Sequence, residues 1–180
     1  FPYTTLFRSL AAQWLGVNQT QANSVAPILI SEEQGRHKST FCRMLMPPQL
    51  ARYYSDNLKL TAQGNPERLL AEMGLLNMDE FDKFGAQKMP LLKNLMQMSS
   101  LNICKAYQKN FRSLPRIASF IGTSNRTDLL CDPTGSRRFI CIEAEHDIDC
   151  TGIEHSQIYA QLKEELLAGA RHWFNKEEEH

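Results

Sequence analysis

The stretch Ile30–Phe41 reads ISEEQGRHKSTF, and its surroundings decide the fold class. Upstream lies a short apolar run, Val25–Ile30 (VAPILI), with the composition of a buried strand. Downstream, Ser39–Met46 (STFCRMLM) carries Phe41, Leu45 and Met46 at helical spacing, and Pro47-Pro48 ends it. Strand, polar loop, helix is the setting that a phosphate-binding loop, G-x-x-x-x-G-K-[ST], requires. There, backbone N–H groups surround phosphate oxygens, the lysine reaches the β- and γ-phosphates, and the hydroxyl binds Mg²⁺. Gly35, Arg36, His37, Lys38, Ser39 and Thr40 are therefore the candidate nucleotide-binding residues. Aligned on Lys38 and Ser39, the pattern's two glycines fall at Glu32 and His37, and only the internal Gly35 remains. Glycine permits positive φ and close approach of the backbone to phosphate, so both replacements weaken the pattern. Glu32 also sets a carboxylate near the expected anion.

Further along, Leu75–Phe84 reads LLNMDEFDKF. An apolar strand ending in two adjacent carboxylates suits a metal-dependent phosphoryl-transfer site. Asp79 is the candidate that organises Mg²⁺ together with Ser39, and Glu80 the candidate that polarises the attacking water. Asp82 reads as solvated surface. A third segment, Phe120–Phe139 (FIGTSNRTDLLCDPTGSRRF), begins as a strand and delivers Asn125, a residue type suited to orienting water near the γ-phosphate. It ends in Gly135-Ser136-Arg137-Arg138, and arginine stabilises a transferring phosphoryl group well, often from a neighbouring subunit. Arg137 and Arg138 are equal candidates for that role.

Each segment alone is a weak signal; their order along one chain is a much stronger one. From about Val25 to Phe174, the segments QGRHKSTF, LLNMDEFDKF, KNLMQM, PRIASFIGTSN and DPTGSRRF resemble the virulence-associated E family of phage, plasmid and genomic-island proteins. The resemblance implies an α/β fold of the P-loop NTPase kind, AAA+-like and akin to superfamily 3 helicases, with a central, mostly parallel sheet flanked by helices. It implies ATP and Mg²⁺ as cofactors, a homo-oligomeric ring in the full-length protein, and helicase-like work on single-stranded or forked DNA in mobile-element replication. The alternative is a catalytically degenerate P-loop module for nucleic-acid binding or assembly, which the missing glycines favour.

Between the carboxylate pair and the Asn125 strand lies Leu101–Arg116, read as a hairpin. Its KAYQKNFRSLPR segment interleaves Lys105, Lys109, Arg112 and Arg116 with Tyr107 and Phe111. Cations beside aromatics suit phosphate contact and base stacking, and Lys105, Lys109 and Arg112 are the candidate DNA-binding residues. Leu10–Leu15 reads as the tail of a helix, and the remaining helices are expected at Pro66–Met73 with Asn65 as N-cap, Ala86–Met98 and Gln157–Trp173.

Composition is permissive. The 180 residues are 42% hydrophobic, enough for one domain with a substantial core. Lys+Arg and Asp+Glu number 20 each, so any DNA contact must come from a local patch. No apolar run reaches the roughly 18 residues of a membrane helix, and no membrane partner is expected. The five cysteines are odd in number and form no CxxC, which fits a reducing, cytoplasmic setting without a disulfide framework. Cys141, His146, Cys150 and His155 have metal-ligand residue types but a spacing that matches no common zinc finger. Phe1–Ser9 (FPYTTLFRS) resembles a translated sequencing-adapter oligonucleotide. On that reading, 10–180 is a fragment of one P-loop ATPase domain.

Overall fold

The computed structural model describes residues 3–17, 22–104, 111–128 and 138–174. Its centre is a five-stranded, all-parallel sheet of β1 (Ala26–Ile30), β2 (Tyr54–Ser55), β3 (Leu75–Met78), β6 (Ser119–Ser124) and β7 (Phe139–Glu143), in the order β2-β3-β6-β1-β7. A separate antiparallel hairpin, β4 (Ser100–Cys104) and β5 (Phe111–Pro115), stands between β3 and β6 in sequence. The helices are α1 (Tyr3–Leu15), α2 (Lys38–Met44), α3 (Pro66–Glu72), α4 (Met89–Gln97) and α5 (His155–Leu167).

The strands are apolar on both faces because both faces are covered, as parallel sheets require. Side chains alternate along each strand. Ile28, Ile30, Leu76, Met78 and Phe120 join one core with Leu70 of α3 and Leu92, Leu95 and Met96 of α4. Their neighbours Leu29, Leu75 and Ile121 face the other core, with Leu10 of α1 and Cys42 and Met46 at the α2 end. Gly122 sits mid-strand in β6, where a Cβ would meet Ile28 Cδ1 at 2.6 Å and the Met78 carbonyl oxygen at 3.2 Å. Its missing side chain lets β1 and β3 close on β6. Helix α1 packs on α5 through Ala11, Ala12, Leu162 and Leu166. Arg8 pairs with Glu165 at 2.6 Å, and the Trp14 indole N–H donates to the Gly74 carbonyl at 2.6 Å.

Several expectations shift on contact with the fold. The Ala86–Met98 helix begins at Met89, after a 3₁₀ turn over Ala86–Lys88, with Pro90 in its first turn where no N–H is needed. The final helix ends at Leu167 rather than Trp173, because Gly169 takes φ +83° and stops it. Asn65 occupies the N-cap of α3 but makes no side-chain cap bond; its backbone is left-handed (φ 48°). Strand β6 starts at Ser119, because the N–H groups of Ile117 and Ala118 before it both go to the Leu70 carbonyl, at 3.0 and 3.1 Å.

The largest correction concerns Arg116. Grouped by sequence with the hairpin's cations, it is 2% exposed. Its Nε donates to Ala118 O at 2.8 Å, and one Nη to Asn23 O at 2.6 Å. The other Nη reaches Met96 O at 2.5 Å, Met98 O at 3.3 Å and Leu95 O at 3.5 Å. The guanidinium thus caps the carbonyl end of α4, where the helix dipole favours a cation. Burial lowers its pKa to about 9, which leaves it charged at neutral pH. Arg116 holds the base of the hairpin and is not available to DNA.

Candidate functional site

In a parallel sheet all carboxyl ends lie on one edge, and ligands bind in the crevice beyond them. Three adjacent strands here end in the residues singled out by sequence. β1 runs into Ser31–His37 and Lys38, β3 into Asp79 and Glu80, and β6 into Asn125. They meet around a cleft of about 450 Å³, lined by Gln34–Thr40, Asp79, Glu80 and Thr123–Asn125. That volume is in the range of a small-molecule site.

The loop after β1 is shaped without the two glycines of the motif. Gly35 takes φ +86°, and His37 itself adopts a left-handed backbone, φ 59° and ψ 20°. The histidine therefore takes the conformation that glycine adopts more readily, at a cost of about 1 kcal/mol. Its carbonyl accepts the Phe41 N–H at 2.8 Å, starting α2. Arg36 pairs with Glu33 at 2.6 Å and approaches Asp147 at 3.8 Å, and its carbonyl accepts the Ile148 N–H at 3.3 Å. These bonds tether the loop to the segment following β7. Glu32 turns toward Thr127, whose hydroxyl lies 3.4 Å from its carboxylate. It is not among the residues lining the cleft.

Lys38 is 8% exposed. Its ammonium donates to Ser31 Oγ at 2.5 Å and to Asn125 Oδ1 at 2.8 Å. Burial lowers its pKa, Arg36 lowers it further, and Asp79 opposes them. Asp79 Oδ1 accepts two hydroxyls, from Ser39 at 2.8 Å and Thr123 at 2.6 Å. Hydroxyl and carboxylate oxygens together are the donor set that Mg²⁺ prefers, so these residues fit that ion. Glu80 follows with a left-handed backbone (φ 53°) and an exposed carboxylate bonded to Lys83 at 2.6 Å. Asp82, expected to be solvated, is half-buried and accepts the Ser124 hydroxyl at 2.8 Å.

The other candidates lie elsewhere. Arg138 precedes β7 and its carbonyl accepts the Ala26 N–H at 2.7 Å. It thus sits at the amino ends of β1 and β7, on the sheet edge opposite Lys38. Four residue steps of β1 separate the edges, about 13 Å at strand rise. Arg138 does not reach its own chain's cleft. Arg112 is exposed on β5. Lys105, Lys109 and Arg137 lie outside the described residues. The residues missed in the sequence are Thr123 and Ser124. A hydroxyl in a strand carries little signal, and only the pairing of β3 with β6 brings them to Asp79 and Asp82. Among the described residues, no group of three or more His, Cys, Asp or Glu is placed to hold a metal, and no helix is long and apolar enough to cross a membrane.

A family model of the virulence-associated protein E-like domain matches residues 5–180, and the chain belongs to that family. No curated protein matches the chain significantly. Among solved structures, the chain is similar to an A-form apo structure of the NrS-1 C-terminal region (305–718), with 21% identity and a TM-score of 0.54, over 89% of this chain and 38% of that one. A second apo structure of the same region gives 20% identity and a TM-score of 0.51, over 92% and 41%. At these identities the likeness is one of fold, and the chain spans about two-fifths of the length of those structures.

Proposed function

We propose that this member of the virulence-associated protein E-like family is the ATP-binding and ATP-hydrolysing core of a helicase-like replication protein of a phage or mobile element, acting on DNA in the cytoplasm. The observation that carries the reading is the meeting of Lys38, Ser39, Asp79 and Asn125 at the carboxyl ends of three adjacent parallel strands.

On this reading the loop from Gly35 to Thr40 surrounds the phosphates. Lys38 exchanges its bonds to Ser31 and Asn125 for phosphate oxygens. Ser39 and Asp79 would hold Mg²⁺, which would supply neutralisation of phosphate charge. Asn125, released from Lys38, orients the attacking water, and Glu80, released from Lys83, polarises it for in-line attack. Because Arg138 lies on the far edge of the sheet, an arginine from this region serves the cleft of another subunit. A homo-oligomeric ring supplies that arrangement, with Arg137 or Arg138 as the donor. The hairpin's Lys105, Lys109 and Arg112 contact single-stranded or forked DNA.

Two observations favour a second reading, a non-catalytic module that keeps the fold for nucleic-acid binding or assembly. His37 stands where the motif has glycine, and Glu80 is paired with Lys83. Phosphate release from ATP decides between them. The ATPase reading expects hydrolysis that is lost in both Lys38→Ala and Glu80→Gln. ATP binding without hydrolysis in the full-length protein, with or without DNA, selects the module.

A further inference from the structure

The end of β6 presents three consecutive polar side chains, and each bonds a different residue. Asn125 takes Lys38, Ser124 takes Asp82, and Thr123 takes Asp79. Thr123 does more than donate. Its hydroxyl gives a hydrogen bond to Asp79 Oδ1 at 2.6 Å and accepts the backbone N–H of Glu80 at 3.3 Å. A hydroxyl has one proton, an amide N–H only donates, and an ionised carboxylate only accepts. The direction of both bonds is therefore fixed, with the proton on the Asp79 side. Thr123 is 4% exposed, so water is a poor substitute for it.

The two hydroxyls on Asp79 differ in what they can do. Ser39 belongs to the phosphate loop and is itself a candidate metal ligand, so its bond to Oδ1 is exchangeable. Thr123 belongs to the neighbouring strand, one position beyond the Met78–Gly122 pair, and its bond is set by the sheet register. Both hydroxyls meet at Oδ1, and among the described residues Oδ2 receives no hydrogen bond. The next residue repeats the pattern. Ser124 Oγ donates to Asp82 Oδ1 at 2.8 Å and accepts the Arg126 N–H at 3.1 Å. The acidic turn after β3 is thereby fastened to β6 at both of its ends.

We propose that Thr123 is a positioning residue. It holds the Asp79 carboxylate with Oδ2 open toward a divalent cation, and it holds the Glu80 backbone in its left-handed conformation. The proposal rests on the nucleotide reading above, in which Asp79 and Ser39 hold Mg²⁺. Groups that orient a metal's ligands in this way change metal affinity about 10- to 100-fold when removed.

The test is calorimetric titration of ATP, at a series of Mg²⁺ concentrations, into the wild type, Thr123→Val and Thr123→Ser. Thr123→Val is expected to need about 10- to 100-fold more Mg²⁺ for half-maximal binding, while Thr123→Ser needs the wild-type concentration. A second readout needs no ligand: exchange of the Glu80 amide hydrogen should quicken in Thr123→Val and not in Thr123→Ser. If the valine variant does not fold, Thr123→Ala removes the same hydroxyl without branching and carries the same expectation. An unaltered Mg²⁺ requirement in the hydroxyl-free variants overturns the proposal. So does a serine variant as impaired as valine, which would assign the effect to the methyl group. A wild type that binds no ATP at any Mg²⁺ concentration overturns the nucleotide reading itself, an outcome visible before any variant is compared.

Discussion

Lys38 and Asn125 are 87 residues apart in sequence, and the lysine's Nζ donates to the amide oxygen at 2.8 Å. The same ammonium donates to Ser31 Oγ at 2.5 Å. A cation that is 8% exposed needs such partners, because burial disfavours its charged form. The bond to Asn125 also links the loop after β1 to the end of β6. On the proposed mechanism, phosphate must replace Asn125 on the lysine, and that exchange frees the asparagine for water.

The lysine's environment predicts a pH dependence. Burial lowers its pKa in the folded state below the unfolded value of 10.5. The cost of holding it charged is fully present at neutral pH. It is relieved as pH rises through the lowered pKa toward 10.5, because there the unfolded chain binds more protons. The stability of the wild type relative to Lys38→Met should therefore be flat near pH 7 and rise in the alkaline range. Urea unfolding of both proteins at a series of pH values checks this; a difference that falls with pH contradicts it.

Arg116 should prove structural. Arg116→Ala leaves the carbonyls at the end of α4 without their donor, and a buried acceptor left unsatisfied costs roughly 1–3 kcal/mol. Arg116→Lys should also destabilise, since one ammonium cannot span the five carbonyls that the guanidinium contacts. Urea denaturation reads both. A variant of wild-type stability with weakened DNA binding would return Arg116 to the hairpin's cations.

Gly122→Ala tests the packing that brings the site together. The new Cβ meets Ile28 Cδ1 at 2.6 Å and backbone of Met78 at 3.2 Å. Relaxation of the isoleucine relieves the first contact and not the second. Overpacking of this order costs about 1–3 kcal/mol. Thermal unfolding should show it, and ATP binding should weaken as well, because the displaced strands carry Asp79 and Thr123.

The hairpin makes a separable prediction. Lys105→Glu together with Lys109→Glu should lower affinity for single-stranded DNA and flatten its salt dependence, as loss of phosphate contacts does. Nucleotide binding should be unchanged. Fluorescence anisotropy across a salt series is sufficient, and an unaltered DNA affinity would remove the hairpin from the interface.

The parallel sheet was legible in the chain because its strands are short apolar runs ending in polar motifs. VAPILI, LLNM and the FIGTS run each fall on a strand, and the motif at each carboxyl end then meets the others by topology alone. What was not legible depended on long-range partners. Arg116 is one cation among four in KAYQKNFRSLPR, and residue type does not reveal that Met96 and Asn23 supply its acceptors. Thr123 and Ser124 look like ordinary strand residues until β6 pairs with β3. Glu32 reads as a carboxylate beside the phosphates, yet the loop turns it toward Thr127.

The most direct test of the central claim is equilibrium binding of ATP in the presence of Mg²⁺, measured by calorimetry for the wild type and Lys38→Ala. The account predicts saturable, Mg²⁺-dependent binding by the wild type and its loss in the folded variant. Equal binding by the two proteins, or none by a folded wild type, would contradict it.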